Sequence, residues 1–477
     1  MVETQIYNIF FGRRIAMNNL SRREFLRSGL VAGAVASLGG PTACLTASGK
    51  QAKSTSRPNI VFILADDYGL DGVGCYGSDR HKDRTPNLDA LARGGIQFEL
   101  CYSIPLCGPT RCQIMTGRYP FRTGGLTNQT AGQPVPQDEY PLARVLKEAG
   151  YDTCQVGKWR QMGAEPSDWG FGEYITDPTA GGWYWQKSYT KNGQLVETDK
   201  EIYFPDVAHD FAVDFLRRHA PTGSAKAAPF FLYYSSHLVH GPILRTPDSK
   251  PEEKDPVNLY NDNVAYLDKQ VGALVAELDR LGLRESTLVI FSADNGTTGQ
   301  PNTIGGRKIN GLKGSMLEGG ARVPLIASWK GVAPSGRVLK DLVDFSDILP
   351  TFAEIAGAKL PTSITYDGRS FAPQLRGEKG KPREWIFVQL GRNWYVRDEG
   401  WKLNQAGELF DMTDAPFVEN LVPADSADKA TVAARKRLQA VLDKLNPAGG
   451  KTISAEDEAA ARDRARKQRQ RPKKKQK

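Results

Sequence analysis

An α/β fold on a large, mostly parallel sheet, with helices on both faces and a smaller antiparallel subdomain after it, is what this sequence predicts. Three observations predict it. Apolar runs of strand length alternate with helix-period segments through the middle of the chain. Two of those runs end in acidic residues, as strands do when their carboxyl ends carry a site. From about Lys381 the pattern shifts to short aromatic runs followed by one helical stretch.

In chain order, Asn59 to Ala65 is a continuous apolar run and reads as a central strand. Similar strands are expected at Pro229 to Ser235, Thr287 to Ser292 and Val323 to Ser328. Helices are expected at Pro86 to Arg93, Leu142 to Ala149, Val207 to Arg218, Leu259 to Leu281 and Asp347 to Ala356, several closing on a glycine. The subdomain would hold the strands EWIFVQL, NWYVRD and GELFDM and a helix near Ala427 to Leu445. The expected organisation is an N-terminal extension and signal over 1–45, a polar linker over 46–57, a catalytic domain over 58–380, a C-terminal subdomain over 381–446 and a disordered basic tail over 447–477.

With 477 residues, 40% hydrophobic and 25% charged, the composition supports a sizeable core and excludes disordered and fibrous classes. The net charge of +9 resides in residues 462–477, which hold ten Lys or Arg and one Asp. No aromatics are interleaved there to stack bases, so a solvated tail and no nucleic-acid partner is expected. The six cysteines show no CxxC spacing, which excludes a zinc module or a disulfide-stapled miniprotein. Cys75, Cys101, Cys112 and Cys154 read as structural thiols or one unassignable disulfide.

Near the start, Ser21-Arg22-Arg23-Glu24-Phe25-Leu26-Arg27 precedes a Gly/Ala-rich apolar run, Gly29 to Gly39, too short to span a bilayer. This resembles a twin-arginine export signal. It implies the twin-arginine translocase as a partner and the periplasm, cell envelope or exterior as destination. Met17 fits a true start better than Met1, and Cys44 offers a site for a lipid anchor.

Asp66 and Asp67 follow the first strand, and Asp294 and Asn295 follow the later one. Strand ends converge in such sheets, and hard oxygen ligands without His or Cys favour calcium or magnesium. Pro109 suits the first position of a helix, which sets Cys107 at a helix N-terminus, where a thiolate or another anion is favoured.

Cys107-x-Pro109-x-Arg111, with Thr116-Gly117-Arg118 after it, resembles the signature of the formylglycine-dependent sulfatase family of the alkaline-phosphatase-like superfamily. Further matches in family order are Pro58 to Asp67, Thr85 to Asp89, Gly157-Lys158-Trp159, His240-Gly241-Pro242, Asp294-Asn295-Gly296, Lys313-Gly314, Glu318 to Pro324 and Asp347 to Thr351. The resemblance implies an alkaline-phosphatase-like fold and hydrolysis of a sulfate ester, most naturally on a carbohydrate, with a sulfated small molecule or polysaccharide as substrate. It implies that a formylglycine-generating or sulfatase-maturating enzyme converts Cys107 to formylglycine, whose hydrate is the nucleophile. One Ca²⁺ would be held by Asp66, Asp67, Asp294, Asn295 and the group at 107. Lys158 and Lys313 would neutralise the transferring sulfuryl group, Arg111 would fix the hydrate, and His240 would protonate the leaving alcohol or help hold sulfate.

One position departs from that pattern. The family's usual Gly-Lys-Trp-His reads Gly157-Lys158-Trp159-Arg160, so a donor remains but a base is lost. Arg160 is expected either to face the sulfate or to bind a substrate carboxylate. His237 lines the substrate pocket or ends its strand, and Trp183, Tyr184 and Trp185 either stack on sugar rings or pack over the sheet edge. The competing functions are a phosphodiesterase or phosphonate monoester hydrolase with the same nucleophile and metal, and a catalytically silent binding protein, which only Arg160 favours.

Overall fold

The structure, a computed structural model, describes residues 57–177, 184–221 and 227–460. Asn59–Ala65 lies inside an eleven-stranded sheet with every residue buried. Ile60 to Ala65 are all apolar, as a strand covered on both faces requires. Phe230–Ser235 and Thr287–Ala293 flank it, both parallel to it, and Asp152–Gly157 pairs in parallel with Phe230–Ser235. Four adjacent strands therefore deliver their carboxyl ends to one edge of the sheet.

The sheet is mostly parallel, as predicted, and its antiparallel members lie toward the two sides. Arg322–Trp329 runs antiparallel to both Thr287–Ala293 and Ile96–Tyr102. At the other side a hairpin of Trp185–Lys191 and Gln194–Tyr203 closes the order. That hairpin escaped the sequence reading because its strands are half-exposed and carry no continuous apolar run.

Helices Pro86–Arg93, Phe204–Arg218 and Pro256–Arg280 pack on one another, and Cys107–Thr116, Leu142–Glu148 and Ile348–Ala356 form a second group. The long helix starts three residues before its expected beginning at Leu259. Asp255 caps it by accepting from the backbone N–H of Val257 and Asn258, both at 2.9 Å, and Pro256 takes the first position, where its missing N–H costs nothing.

The subdomain is a five-stranded antiparallel meander, Ile386–Leu390, Asn393–Arg397, Trp401–Asn404, Leu409–Asp411 and Asn420–Leu421, covered by the helix Lys429–Leu445. Its core is not wholly its own. Phe387, Val396, Leu403, Leu409, Leu438 and Leu442 pack together with Tyr119 and Phe121, which directly follow the helix that starts at Cys107. The chain also stays with the fold past Pro447, where a tail was expected. Lys451 donates its backbone N–H to the Phe121 carbonyl at 2.7 Å and its ammonium to that of Thr123 at 3.2 Å. Residues 1–45, with the paired arginines and Cys44, and residues 461–477 lie outside the described residues. Among the described residues no helix is long and apolar enough to cross a membrane. Cys75, Cys101, Cys112 and Cys154 are unpaired thiols, and burial pushes that of Cys112 up to about 12.

A buried polar knot joins the subdomain to the sheet. Arg397 donates to Glu318 at 2.7 Å, the Tyr102 hydroxyl donates to the same carboxylate at 3.0 Å, and Lys402 donates to the Met316 carbonyl at 2.7 Å. Burial alone would raise the Glu318 carboxyl's pKa, but Arg397, Arg322 and Lys402 outweigh it and hold it below the usual range. Its contribution is therefore present above the unfolded-chain value of about 4.3 and is lost as pH falls through the depressed folded-state value. Arg397→Met removes one of the cations that hold this buried carboxylate and leaves Arg322 and Tyr102 on it, so it should destabilise the protein by about 1–3 kcal/mol, read as a lowered urea midpoint. Arg307→Ala, at the exposed pair with Asp414, should change stability by no more than about 1 kcal/mol.

Candidate active site

The register of the four parallel strands continues past their ends and sets the site. Asp66 N–H donates to the Leu238 carbonyl at 2.9 Å, Asp294 N–H to Ala65 at 3.0 Å, and Lys158 N–H to Ser235 at 2.8 Å. Gly157, just before Lys158, has φ +91°, and a Cβ there would lie 2.1 Å from the Ser235 carbonyl oxygen. Only glycine permits that turn. Asp67 also has a positive φ, 58°, in the left-handed region that Asp tolerates better than most residues.

Asp66, Asp67, Asp294 and Asn295 are all buried there. Lys158 reaches Asp66 Oδ2 at 2.5 Å, Lys313 reaches Asp67 Oδ1 at 2.5 Å, and Asn295 donates to Asp67 Oδ1 at 2.9 Å. Arg111 donates from Nε and Nη2 to Asp294 Oδ2 at 3.1 and 2.8 Å and also to the Ser235 hydroxyl. Burial and then the charge of Asp294 push the Asp66 carboxyl up to about 8, against the pull of Lys158. Burial would also raise Asp67, but His240 and Lys313 outweigh it and hold it well below the usual carboxylate range. Burial would lower the Lys313 ammonium, but the charges of Cys107 and Asp67 hold it up.

Cys107 opens the helix Cys107–Thr116, all ten residues of which are buried. Pro109 is the third helical residue and not the first, still within the turn whose N–H groups have no partner inside the helix. Cys107 Sγ and carboxylate oxygens of Asp66 and Asp294 all lie within 4.8 Å of one another. The Cys107 thiol also meets two amides: it donates to Asn128 Oδ1 at 3.6 Å and accepts from Gln161 Nε2 at 3.7 Å.

His240 bonds the Gly241 carbonyl through Nδ1 at 2.5 Å and presents Nε2 to Asp67 Oδ2 at 3.7 Å. Burial lowers its pKa well below the ordinary histidine value despite Asp67. The Tyr184 hydroxyl donates to the His240 carbonyl at 2.6 Å, so this buried ring positions the histidine segment, while Trp183 lies outside the described residues. Arg160 and His237 meet on Asp177. Arg160 donates through Nε to one oxygen of that buried carboxylate, and His237 Nε2 stands 3.1 Å from the other. Burial, and next the charge of Lys158, hold His237 well below its usual pKa, so its ring is neutral.

A family model described as Sulfatase matches residues 58–358. The chain belongs to the sulfatase family. Human arylsulfatase A is 34% identical over 393 residues, covering 73% of this chain and 74% of that protein. Dog N-acetylgalactosamine-6-sulfatase is 32% identical, covering 73% and 71%. Among solved structures, Ps i-CgsB in complex with k-i-k-neocarrahexaose superposes with a TM-score of 0.70 at 28% identity, covering 82% of this chain and 93% of that one. The fold is the alkaline-phosphatase-like one of these sulfatases, and the protein is a sulfuric ester hydrolase.

The sulfatase site unites nine residues expected from sequence: Asp66, Asp67, Asp294, Asn295, Cys107, Arg111, Lys158, His240 and Lys313. Arg160 and His237 stand on Asp177 instead. Sequence reasoning missed Asp177, Asn128, Gln161 and Ser235, which belong to no motif; Gln161 alone had a signal, its place directly after Arg160. The donor set fits a hard cation. Asp66 Oδ1 and Asn295 Oδ1 are buried oxygens with no hydrogen-bond partner among the described residues, a cost that a cation removes. When all three are ionised, the carboxylates balance Arg111, Lys158 and Lys313; a divalent ion would favour the ionised form of Asp66 and make the sulfatase site net positive for an anionic ester. Asp177→Ala deprives both Arg160 and His237 of their shared partner and should lower stability by about 1–3 kcal/mol, measured by urea unfolding of purified protein.

Proposed function

We propose that this sulfatase hydrolyses carbohydrate sulfate esters with a formylglycine made from Cys107 and one Ca²⁺ bound by Asp66, Asp67, Asp294 and Asn295. The observation that carries the reading is Cys107 at a helix N-terminus with its sulfur and two carboxylates within 4.8 Å of one another. A formylglycine hydrate supplies an oxygen nucleophile, and a bound Ca²⁺ supplies positive charge against the sulfate oxygens. The chain's own residues do the rest. Arg111 fixes Asp294 with two N–H groups, stands 4.0 Å from Asp66, and so orients two metal ligands beside position 107. Lys158 and Lys313 occupy the outer oxygens of Asp66 and Asp67 and add charge where the sulfuryl group would sit. His240 turns Nε2 into the site, and because the Gly241 carbonyl takes its Nδ1–H and burial keeps the ring neutral, Nε2 must first take up a proton before it can pass one to the departing alcohol. A carbohydrate is favoured because relatives are named N-acetylgalactosamine-6-sulfatase and a neighbour is in complex with k-i-k-neocarrahexaose.

Mass spectrometry of the peptide containing Cys107 tests the nucleophile: formylglycine is expected, and full activity with cysteine alone would refute it. Asp294→Ala should lose bound metal and activity together, and EGTA should abolish turnover of the intact enzyme. A metal-free protein indifferent to EGTA would remove calcium from the scheme. Sulfate and phosphate esters assayed side by side should show a preference for sulfate.

Export by the twin-arginine route to the periplasm, cell envelope or exterior is part of the same proposal, resting on Ser21 to Arg27, with Cys44 as a lipid anchor. Replacing Arg22 and Arg23 by Lys should leave the precursor in the cytoplasm, followed by fractionation and immunoblot; undiminished export would point to another pathway.

A further inference from the structure

The residue at 107 must present one oxygen in one direction, and the neighbours of Cys107 Sγ show what aims it. Asn128 Oδ1 approaches the helix start, accepting from the Gly108 N–H at 2.9 Å and from the thiol. It can do so because residue 108 is glycine: a Cβ there would lie 2.7 Å from that oxygen. From the opposite chain segment Gln161 donates Nε2 to the sulfur at 3.7 Å, within reach for an atom of sulfur's size. Its Oε1 is buried and has no hydrogen-bond partner among the described residues.

That orphaned oxygen is informative. A thiol has a single weak hydrogen to donate, and Asn128 already accepts it. A carbon carrying two hydroxyls donates twice and accepts at both oxygens. One amide can then donate to the first oxygen and accept from the second hydroxyl, which uses both ends of Gln161. Arg160, the preceding residue, has its Nε committed to Asp177.

We propose that Gln161 orients the nucleophile at position 107, its amide donating to one oxygen of the mature group and accepting from the other. This rests on the formylglycine reading of the site. An amide does not titrate near neutrality, so its grip on the nucleophile is independent of pH.

Two measurements test it. In protein matched for formylglycine content by mass spectrometry, Gln161→Leu should lower kcat roughly 10–1000-fold with KM changed by no more than about threefold. Gln161→His should regain much of kcat and acquire a new pH limb near the ordinary imidazole value of about 6.5. In protein expressed without maturation, so that Cys107 stays a thiol, Gln161→Leu should change the rate of iodoacetamide alkylation at Cys107, measured at one fixed pH, by about threefold or more, because the amide in contact with the sulfur is lost. An unchanged kcat, or an unchanged alkylation rate, overturns the proposal. Formylglycine-bearing wild-type protein inactive on every sulfate ester would sink the proposed function instead, and the alkylation rate would still decide the place of Gln161.

Discussion

Three carboxylates buried side by side at the ends of two paired strands repel one another, and the rest of the site exists to hold them there. Asn59–Ala65 and Thr287–Ala293 are in parallel register from first residue to last, so Asp66, Asp67 and Asp294 come together whatever their side chains prefer. Three cations from three other segments answer them: Arg111 from the helix that opens at Cys107, Lys158 from the next strand but one, and Lys313 from a loop. Each engages one outer oxygen. Among the described residues, the unpartnered acceptors of Asp66 and Asn295 are what remain once those contacts are made, which is why the cluster reads as a cation site and not as a structural ion-pair network.

The subdomain takes part in this arrangement. Lys313 sits on a chain segment held from both sides: Asn310 N–H donates to the Pro416 carbonyl at 2.9 Å, and Gly319 N–H returns to the Asn310 carbonyl at 2.7 Å. Glu318, next to that return, is the carboxylate gripped by Arg397. The placement of one site lysine is thereby coupled to the folding of a meander nearly a hundred residues later. Tyr119 and Phe121 make the same connection from the helix of Cys107.

Much of this was legible in the sequence because buried parallel strands announce themselves as unbroken apolar runs, and the acids that follow them can only emerge at the strand ends. The Cys107 motif was legible for a different reason, its fixed spacing at a helix start. What could not be read were contacts made by solitary residues from segments without periodicity. Asp177 is a single acid after a four-residue strand, and nothing in its neighbourhood signals that Arg160 and His237 converge on it. Strand direction was equally silent, since the apolar pattern of Arg322–Trp329 is the same whichever way it runs. The polar hairpin Trp185–Tyr203 lacks the burial that makes a strand visible at all.

The shared carboxylate of Asp177 makes positions 160, 177 and 237 one unit of variation. Restoring histidine at 160 by itself would remove the cation that Asp177 faces and leave a buried acid beside a neutral imidazole. Changing Asp177 first would leave the guanidinium of Arg160 in place without its carboxylate. Either order passes through a less favourable intermediate, so the effects of substitutions at these three contacting positions should not add.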